Sequence, residues 1–587
     1  MQIKEILQKK LTESFKKCDY DVLDVQVAFS NKPELADYQC NSAFVLAKKL
    51  RLTPMLVANR IIENFDNSED LFEISFVAPA FINFRLTKKC LEMYANECLA
   101  DDRLGLPFDE NPQTIVFDYG GANVAKELHI GHLRSPIVGE SLARLYRLFG
   151  HKVITDTHLG DWGTQMGLTI AQMQDDGYLN SYFYLGLKEV EITLDTLNEE
   201  YPKASKRKEV DLEFKKRALD VTAKLQKFEE PWYSIYKRIK DISIEKIKEN
   251  YGKLNCYFDL WYGESDAQPY VDRTVEKFVS QKLARVSEGA LIVDVAVEGE
   301  NIPGKVTEDG VQLYKNPMPP LMLKKSDDAD AYATTDLATI MQRNEDFNPH
   351  KIIYITDHRQ SQHFTQVFRA AKMSGISPVG QELVHIGYGT INGTDGKPFK
   401  TRSGGTVKLE DIINMITSSA NNKLQENNIE NNPKLALDIG VAAIKFGDLS
   451  NAVGKDYVFD IDRFMSFEGK TGPYLQYTGA RIKSLLEKSD KKFGNIIIES
   501  LDERNIIINL LKLIDSYKVC KNENSMNALC LAIYNLASSY STLYNNCKIL
   551  TNPDAAKKAS LLSLSKLVLN ALKQAFYCLA IEMPDRM

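Results

Sequence analysis

The sequence predicts an α/β protein with a doubly wound parallel sheet, preceded by a small α+β domain and followed by an all-α domain. Three observations predict this architecture. A strand, a turn, a helix and a second strand follow one another from Ile115 to Thr155, and a similar alternation returns between Lys351 and Gly389. Beyond about residue 450 the apolar spacing is helical. Two βαβ halves separated by an insertion make a split doubly wound sheet.

The predicted domains follow one another along the chain. The first begins with a helical pattern and contains a strand-like stretch, Leu71 to Arg85, that Pro79 interrupts. The second holds the sheet and a charged helical insertion. The predicted limits are 1–108, 109–400 with the insertion at about 178–255, 401–450 and 451–587.

Within the sheet region, Gly120 and Gly121 are predicted to form a turn, and Gly150 is predicted to end the first helix. The apolar face of that helix consists of Leu133, Ile137, Val138, Leu142, Leu145 and Phe149. The predicted strands are Ile115–Phe117, Val153–Thr155, Lys351–Thr356 and Glu382–Gly389, with a helix at Phe364–Met373. The predicted C-terminal helices are Gln476–Lys488, Ile506–Lys518, Ala528–Tyr544 and Ala555–Ala580.

Length and composition narrow the class of protein. With 587 residues and 44% hydrophobic content, the chain is long enough for several separate cores. No apolar run approaches the length of a membrane span, and the segment Met1 to Thr12 lacks the apolar block of a secretory signal. The nine cysteines form no CxxC pair and are interpreted as reduced packing residues. We therefore expect a soluble, cytoplasmic protein.

The charge pattern limits how the protein could bind nucleic acid. A formal net charge of −6 argues against a uniformly positive surface, so any RNA contact would use local patches. One basic run, from Lys203 to Arg217, is interleaved with acidic residues, and a solvated helix face is its favoured interpretation. All eight histidines lie between positions 129 and 385, which favours a central catalytic region.

The clearest candidate for chemistry is the tetrapeptide His129-Ile130-Gly131-His132, placed between the first strand and the first helix. In βαβ units, ligands bind at the carboxyl ends of the strands, where free amides at the helix N-terminus attract anions. His129 and His132 are expected to share one helix face and to point at a nucleotide phosphate. The alternative is a pair of helix-capping histidines with a structural role. Zinc binding is disfavoured, because no cysteine pair or third ligand stands nearby.

The residues around this motif resemble the signature of the class I arginyl-tRNA synthetases. The resemblance rests on Asp118–Lys126, Leu133–Ser135 and Gly160–Gln165. Further along the chain, Asp37–Asn41 and Phe81–Phe84 are similar to that family's N-terminal domain, while Tyr474–Tyr477, Ala480–Ile482 and Met583–Met587 are similar to its anticodon-binding bundle.

The resemblance implies a fold and a reaction. It implies a Rossmann-like catalytic domain that activates L-arginine with ATP, giving arginyl-adenylate and pyrophosphate, and transfers arginine to the 3′-terminal adenosine of tRNA(Arg). It also implies that residues 1–108 contact tRNA, that residues 401–450 carry a catalytic loop and a stem contact, and that residues 451–587 bind the anticodon. A monomer is expected from the family.

Adenylate formation needs cations where negative charge accumulates on the phosphates. His129 and His132 would donate to ATP oxygens, Gly131 would let the nucleotide approach the backbone, and Lys126 can reach the same phosphates. Mg²⁺ is expected with ATP, although no acidic cluster marks a dedicated site.

The second signature of class I enzymes, Lys-Met-Ser-Lys-Ser, is replaced here by Gly396–Gly405. Lys400 and Arg402 are the candidate catalytic residues of this loop, and the resemblance implies that Lys126 supplies the missing charge. The alternative is a Gly-rich surface hairpin with exposed basic residues.

Selection of arginine requires carboxylates that meet a planar guanidinium in fixed geometry. The resemblance assigns Asp118 to the guanidinium and Asn123 to the backbone amine of the substrate. Tyr332 and Asp336, in a Tyr-Ala-Thr-Thr-Asp sequence, carry over as pocket residues, and Gln360 matches a pocket glutamine. Asp336 could instead cap the helix that runs through Met341.

Three other functions compete with this one. A class I synthetase for cysteine would need a zinc-thiolate pocket, and one for glutamate would need basic groups in place of Asp118 and Asp336. A small-molecule adenylyltransferase would not need the long helical C-terminal region. A non-catalytic tRNA-binding or scaffolding paralogue would not need both histidines, Lys126 and Lys400.

Overall fold

The computed structural model describes residues 2–20, 25–77, 81–184, 190–300, 302–306, 312–315, 318–397, 399, 407–426, 429 and 432–587. Lys400, Arg402 and Pro79 therefore lie outside the described residues. No helix in the part of the chain described is long and apolar enough to cross a membrane.

The N-terminal region is an α+β unit, as predicted. Its sheet is antiparallel, with the strand order β1-β2-β4-β3. The stretch that Pro79 was predicted to interrupt consists of two paired strands, with Phe72 opposite Leu86 and Val77 opposite Phe81. The elements are α1 (Ile3–Lys17), β1 (Val27–Phe29), β2 (Tyr38–Cys40), α2 (Ser42–Leu50), α3 (Pro54–Glu63), β3 (Phe72–Val77), β4 (Phe81–Leu86) and α4 (Lys88–Ala100).

The central sheet is parallel, and its strand order is β13-β12-β5-β6. The chain passes from β5 to β6 on one side and later returns to β12 on the other side of β5, so the strand order reverses between β5 and β12. Ligands bind in the crevice at such a switch point. The sheet elements and their covering helices are β5 (Thr114–Tyr119), α5 (Arg134–Leu148), β6 (Lys152–Asp156), α12 (Tyr332–Phe347), β12 (Lys351–Asp357), α13 (Ser361–Ser374) and β13 (Glu382–Tyr388).

Close packing fixes α5 against the end of β5. Gly139 lies over the ring of Tyr119, and a Cβ at this glycine would be 2.1 Å from the ring. The Tyr119 hydroxyl donates to Glu140 at 2.8 Å, which satisfies a buried carboxylate. This contact holds the middle of α5 against the carboxyl end of β5.

The segment between the two sheet halves contains the predicted helical insertion and several elements that the sequence did not predict. Among the short antiparallel strands, β7 has largely exposed side chains and lacks the apolar alternation that identifies a half-buried strand. The elements are α6 (Thr164–Asp175), α7 (Asn180–Phe183), α8 (Leu194–Arg207), α9 (Leu212–Gln226), α10 (Trp232–Lys253), α11 (Glu264–Ser280), β7 (Ala284–Ser287), β8 (Ala290–Val293), β9 (Ile302–Val306), β10 (Gln312–Lys315) and β11 (Leu321–Lys324).

The C-terminal region is almost entirely helical, as predicted. Two short strands, β14 and β15, pair in parallel and join the end of the sheet region to this bundle. The elements are β14 (Ile391–Asn392), α14 (Leu409–Glu426), α15 (Pro433–Leu449), β15 (Tyr457–Val458), α16 (Ile461–Phe464), α17 (Gly472–Glu487), α18 (Leu501–Glu523), α19 (Asn527–Asn546) and α20 (Ala555–Leu579).

Candidate active site

A cavity of about 200 Å³ lies at the carboxyl ends of β5 and β12, at the switch point of the sheet. Asp118 and Asp336 both line it, together with Gly131 and His132 of the histidine motif. Tyr354 and Phe364 supply aromatic surface. The carboxylate of Asp336, more than 200 positions away in the sequence, therefore faces the same space as Asp118 and His132.

The histidine motif forms a short 3₁₀ turn, Ile130–His132, that precedes α5. His129 and His132 lie on one side of this 3₁₀ turn rather than on α5, which begins only at Arg134. The two rings still lie together, with centroids 4.0 Å apart. A Cβ at Gly131 would be 2.8 Å from the His129 ring, so this glycine makes room for an imidazole of its own motif.

Each imidazole accepts a backbone hydrogen bond through Nδ1. Nδ1 of His129 accepts from the N–H of Gly131 at 3.0 Å, and Nδ1 of His132 accepts from the N–H of His129 at 3.1 Å. In a neutral imidazole whose Nδ1 is an acceptor, the proton is on Nε2. The two histidines are therefore capping residues that each keep an Nε2–H donor, so a capping role does not exclude phosphate binding.

The environment of the motif favours the neutral form of both rings. Burial, together with the charges of His129 and Lys126, lowers the pKa of His132 to about 3. Burial and then the charge of Lys126 lower the pKa of His129. A neutral ring keeps its Nε2–H donor without adding a positive charge. Within the described residues, Lys126 forms no ion pair.

The segment that follows the predicted catalytic loop lies beside the histidine motif. The N–H of Ile130 donates to the carbonyl of Val407 at 2.9 Å, and the N–H of Leu409 donates to the carbonyl of Leu128 at 2.9 Å. Lys408 pairs with Glu127 at 2.7 Å. The end of that loop is thus anchored to the motif by backbone hydrogen bonds.

Asp118 belongs to a buried ion cluster. Nη2 of Arg343 is 2.8 Å from Oδ2 of Asp118 and 2.6 Å from Oδ2 of Asp156, and the Arg343 side chain is 0% exposed. Burial raises the pKa of Asp118, and the charge of Arg343 opposes this shift. Burial lowers the pKa of Arg343, but the charges of the two carboxylates outweigh it and raise that pKa overall. One guanidinium against two carboxylates leaves a net negative charge beside the cavity.

Asp336 is held differently. It lies in the second turn of α12, where its Oδ2 is 2.6 Å from Nε2 of His363. The alternative that Asp336 caps this helix is wrong, since the capping position is Ala331. Burial lowers the pKa of His363, but the hydrogen bond and the charge of Asp336 outweigh it and raise that pKa above its ordinary value.

The remaining predicted pocket residues do not line the cavity. Asn123 is exposed, and its backbone pairs with Gly160. Tyr332 is the first residue of α12 and is 70% exposed. Gln360 is exposed in the 3₁₀ turn that follows β12. All three lie on segments that adjoin the cavity.

The sequence did not reveal a further acidic residue, Glu264. Burial raises its pKa to about 6; the charge of His158 lowers that pKa, and the charges of Asp161 and Asp336 raise it further. The turn that carries Glu264 is held by Asp161, which accepts from the Ser265 hydroxyl and the Tyr236 hydroxyl, each at 2.7 Å. Asp161 belongs to the Gly160–Gln165 block, which was the only sequence signal for this turn.

Comparisons with known proteins agree along the whole chain. The family described as "tRNA synthetases class I (R), catalytic domain" matches residues 95–461. The "Arginyl tRNA synthetase N terminal domain" matches residues 1–86, and the "DALR anticodon binding domain" matches residues 475–587.

Curated relatives match over nearly full length. An arginine–tRNA ligase of Alkaliphilus oremlandii is 40% identical over 606 aligned positions, which cover 99% of this chain and 100% of that protein. An arginine–tRNA ligase of Agathobacter rectalis is 39% identical, with 99% of each chain covered.

Solved structures share the fold. The arginyl-tRNA synthetase of Plasmodium falciparum has a TM-score of 0.82 at 24% identity, with 100% of this chain and 99% of that chain covered. The arginyl-tRNA synthetase of Thermus thermophilus has a TM-score of 0.81 at 21% identity, with 100% of both chains covered. From the matched domains and the full-length relatives, the chain belongs to the arginyl-tRNA synthetase family of class I aminoacyl-tRNA synthetases.

Proposed function

We propose that this protein activates L-arginine with ATP and transfers the arginyl group to the 3′-terminal adenosine of tRNA(Arg). The observation that carries the proposal is the single cavity at the switch point. It brings two carboxylates, Asp118 and Asp336, next to an imidazole that is held neutral, His132. A cationic side chain and a phosphate can therefore be bound side by side.

On the nucleotide side, His129 and His132 would donate from Nε2 to phosphate oxygens. Their Nδ1 bonds fix the rings before ATP arrives, so little reorganisation is needed on binding. Lys126 would add the permanent positive charge that neutral imidazoles lack. Lys400 and Arg402 would act from the loop whose far end is anchored beside the motif.

The attack of the arginine carboxylate on the α-phosphorus needs in-line positioning more than covalent help from the protein. Mg²⁺ would shield the pyrophosphate and enter with ATP. The described residues offer no group of three or more His, Cys, Asp or Glu that could hold a metal ion.

On the amino-acid side, Asp118 and Asp336 would accept the hydrogen bonds of the guanidinium, with Glu264 as a third carboxylate nearby. Arg343 occupies Oδ2 of Asp118, so the other oxygen of that carboxylate would face the substrate. A lysine ammonium is a point charge and cannot pair with two separated carboxylates in fixed geometry, so it would bind more weakly. Tyr332, Gln360 and Asn123 would close over the ligand from the cavity rim.

The flanking domains would bind tRNA. We propose the divisions 1–108 and 451–587 for the tRNA-contacting and anticodon-binding domains, with 109–400 as the catalytic domain and 401–450 as the catalytic loop and stem contact. We also propose that adenylate formation requires bound tRNA, which would couple the C-terminal bundle to the catalytic loop. A monomeric state and a cytoplasmic location stay predictions.

The test is ATP consumption with each amino acid, with and without total tRNA. We expect AMP formation with arginine and tRNA alone, and no pyrophosphate exchange with arginine when tRNA is omitted. Exchange at the same rate without tRNA would contradict the tRNA requirement only. Charging of cysteine or glutamate, adenylation of a small molecule without tRNA, or tRNA binding without AMP formation would each favour one of the competing functions.

A further inference from the structure

His363 is the cationic partner of Asp336, and it lies at the edge of the cavity. Its side chain is 31% exposed and that of Asp336 is 23% exposed, so both are partly shielded from water. Nε2 of His363 is 2.6 Å from Oδ2 of Asp336. The ring packs edge-on against Phe364, with centroids 5.5 Å apart, and this contact fixes its orientation.

The other charged and titratable groups around this pair include Tyr354 on β12, whose ring lies 4.9 Å from that of Phe364 and whose pKa is raised by burial. Behind Phe364, His385 stacks on that ring at 4.8 Å, and its pKa is lowered to about 4, first by burial and then by the charge of His363. The hydroxyl of Thr356 is 2.8 Å from Nε2 of His385, and Asp357 acts on His385 from the end of β12. Glu264 acts on Asp336 from the first turn of α11. His363 is thus the group that can change its charge in direct contact with Asp336.

We propose that arginine binding expels a proton from His363, so that recognition of the substrate cation is coupled to the protonation state of this histidine. The inference rests on the proposed function, because it requires Asp336 to receive the guanidinium. His363 is then a positioning residue for Asp336 rather than a group that touches the substrate.

The physical reason is competition between two cations for one carboxylate. In the free protein, Asp336 stabilises the imidazolium of His363, as the raised pKa shows. A guanidinium that pairs with Asp336 repels that imidazolium and removes part of its stabilisation. The pKa of His363 must therefore fall on binding, and protons leave whenever the pH lies between the two values.

The proton leaves from Nδ1, because Nε2 donates to Asp336 in both states. No hydrogen bond to Nδ1 of His363 exists among the described residues, and the partly exposed ring gives solvent access to it. For each arginine cation that binds, one proton is released to the buffer, so the net charge of the site does not change. The neutral ring still donates from Nε2, so Asp336 keeps its orientation while its full charge becomes available to the substrate.

The structure offers a matched control. His350 precedes β12 at the opposite end of the sheet, where its Nδ1 accepts from the N–H of Thr114 at 3.3 Å. In His363→Gln the new side chain can donate to Asp336 but cannot titrate. His350→Gln removes a titratable imidazole far from the cavity. His363→Gln therefore tests proton coupling, while His350→Gln tests for an unspecific histidine effect.

The experiment is isothermal titration of the full-length protein with L-arginine in phosphate and in Tris, near neutral pH, where Glu264 is already largely ionised. The difference in observed binding enthalpy between the two buffers, divided by the difference in their ionisation enthalpies, gives the number of protons released. We expect a substantial fraction of one proton from the wild type and from His350→Gln, and almost none from His363→Gln. We also expect arginine affinity of the wild type to rise with pH, by up to about tenfold per pH unit between the pKa of His363 in the complex and that in the free protein.

The outcomes separate failure of the proton-coupling inference from failure of the proposed function. Arginine that binds the wild type without buffer-dependent heat would overturn the inference and leave the proposed function intact. Equal proton release from wild type and His363→Gln would assign the coupling to another group and also overturn it. Failure of the wild type to bind arginine at all would contradict the proposed function. If His363→Gln does not fold, the ¹⁵N shifts of His363 in the wild type, titrated with and without arginine, must show a lower pKa in the complex.

Discussion

The two carboxylates that face the cavity are supported by cations of different kinds. Asp118 is paired with Arg343, whose side chain is 0% exposed and whose guanidinium stays charged at every accessible pH. Asp336 is paired with His363, which is 31% exposed and can lose its charge near neutral pH. One side of the pocket therefore has a fixed charge, and the other has an adjustable one. The following predictions test that difference.

The largest effect is expected from Arg343→Met. It leaves Asp118 and Asp156 buried without their shared cation, and we expect the free energy of unfolding to fall by about 3 to 5 kcal/mol in a urea titration. Arg273→Met is the control, because its pair with Glu345 is exposed to solvent and should contribute little to stability. Similar losses in both variants would mean that burial of the Arg343 cluster has no special energetic role.

The next effect concerns substrate affinity. Asp336→Asn should weaken arginine binding by about 1.5 to 3 kcal/mol, the worth of a charge-assisted hydrogen bond, while ATP binding stays nearly intact. Asp118→Asn should weaken binding similarly and also destabilise the fold, because it alters the buried cluster around Arg343. Asp346→Asn, an exposed position on the same helix as Asp336, is the control. Unchanged arginine affinity in both pocket variants would refute the pocket assignment.

Glu264 should show a conflict between stability and binding. Its folded pKa of about 6 lies above the ordinary value of 4.5, so the folded state binds this proton more tightly than the unfolded state does. The free energy of unfolding therefore falls as the pH rises from about 4.5 through 6. Glu264→Gln should relieve this cost above pH 6 by on the order of 1 to 2 kcal/mol, and yet weaken arginine binding. Loss of stability near neutral pH, measured by urea unfolding, would contradict the burial argument.

The smallest effect is expected for the stability contribution of His363. Its folded pKa is raised above the ordinary 6.5, so the stabilisation is fully present below that value and is lost as the pH rises through the folded pKa. His363→Gln should therefore lower the melting temperature more in mildly acidic than in alkaline buffer, for a loss of at most about 1 kcal/mol. A difference that grows with pH would have the wrong sign.

Sequence reasoning predicted the sheet well, because its strands are apolar and its helices are regularly amphipathic. It ended the first strand at Phe117, whereas the structure continues it to Tyr119. The extension was not visible because Asp118 is polar, and its inclusion depends on backbone pairing with β12 and β6. The strands β7 to β11 were missed because each is only four or five residues long, and in β7 the side chains are largely exposed.

For the candidate site, the sequence supplied the histidine motif and the two aspartates, the latter through resemblance. It did not supply their partners. Arg343 is 187 positions from Asp156, and nothing in the local sequence around either residue indicates that they meet. His363 and Glu264 are similar cases. Their significance depends on contacts across the fold, which pattern and composition do not encode.

The paired Nδ1 bonds of the histidine motif restrict which side chains these two positions tolerate. A replacement would have to accept a backbone hydrogen at short range and present a hydrogen outward from a rigid frame. Serine and aspartate satisfy the first demand alone, and asparagine satisfies both with a shorter reach. The donor that His132 offers is also insensitive to pH near neutrality, since the pKa of that ring is about 3. A pH dependence that His363 introduces near neutrality therefore belongs to the amino-acid side of the pocket.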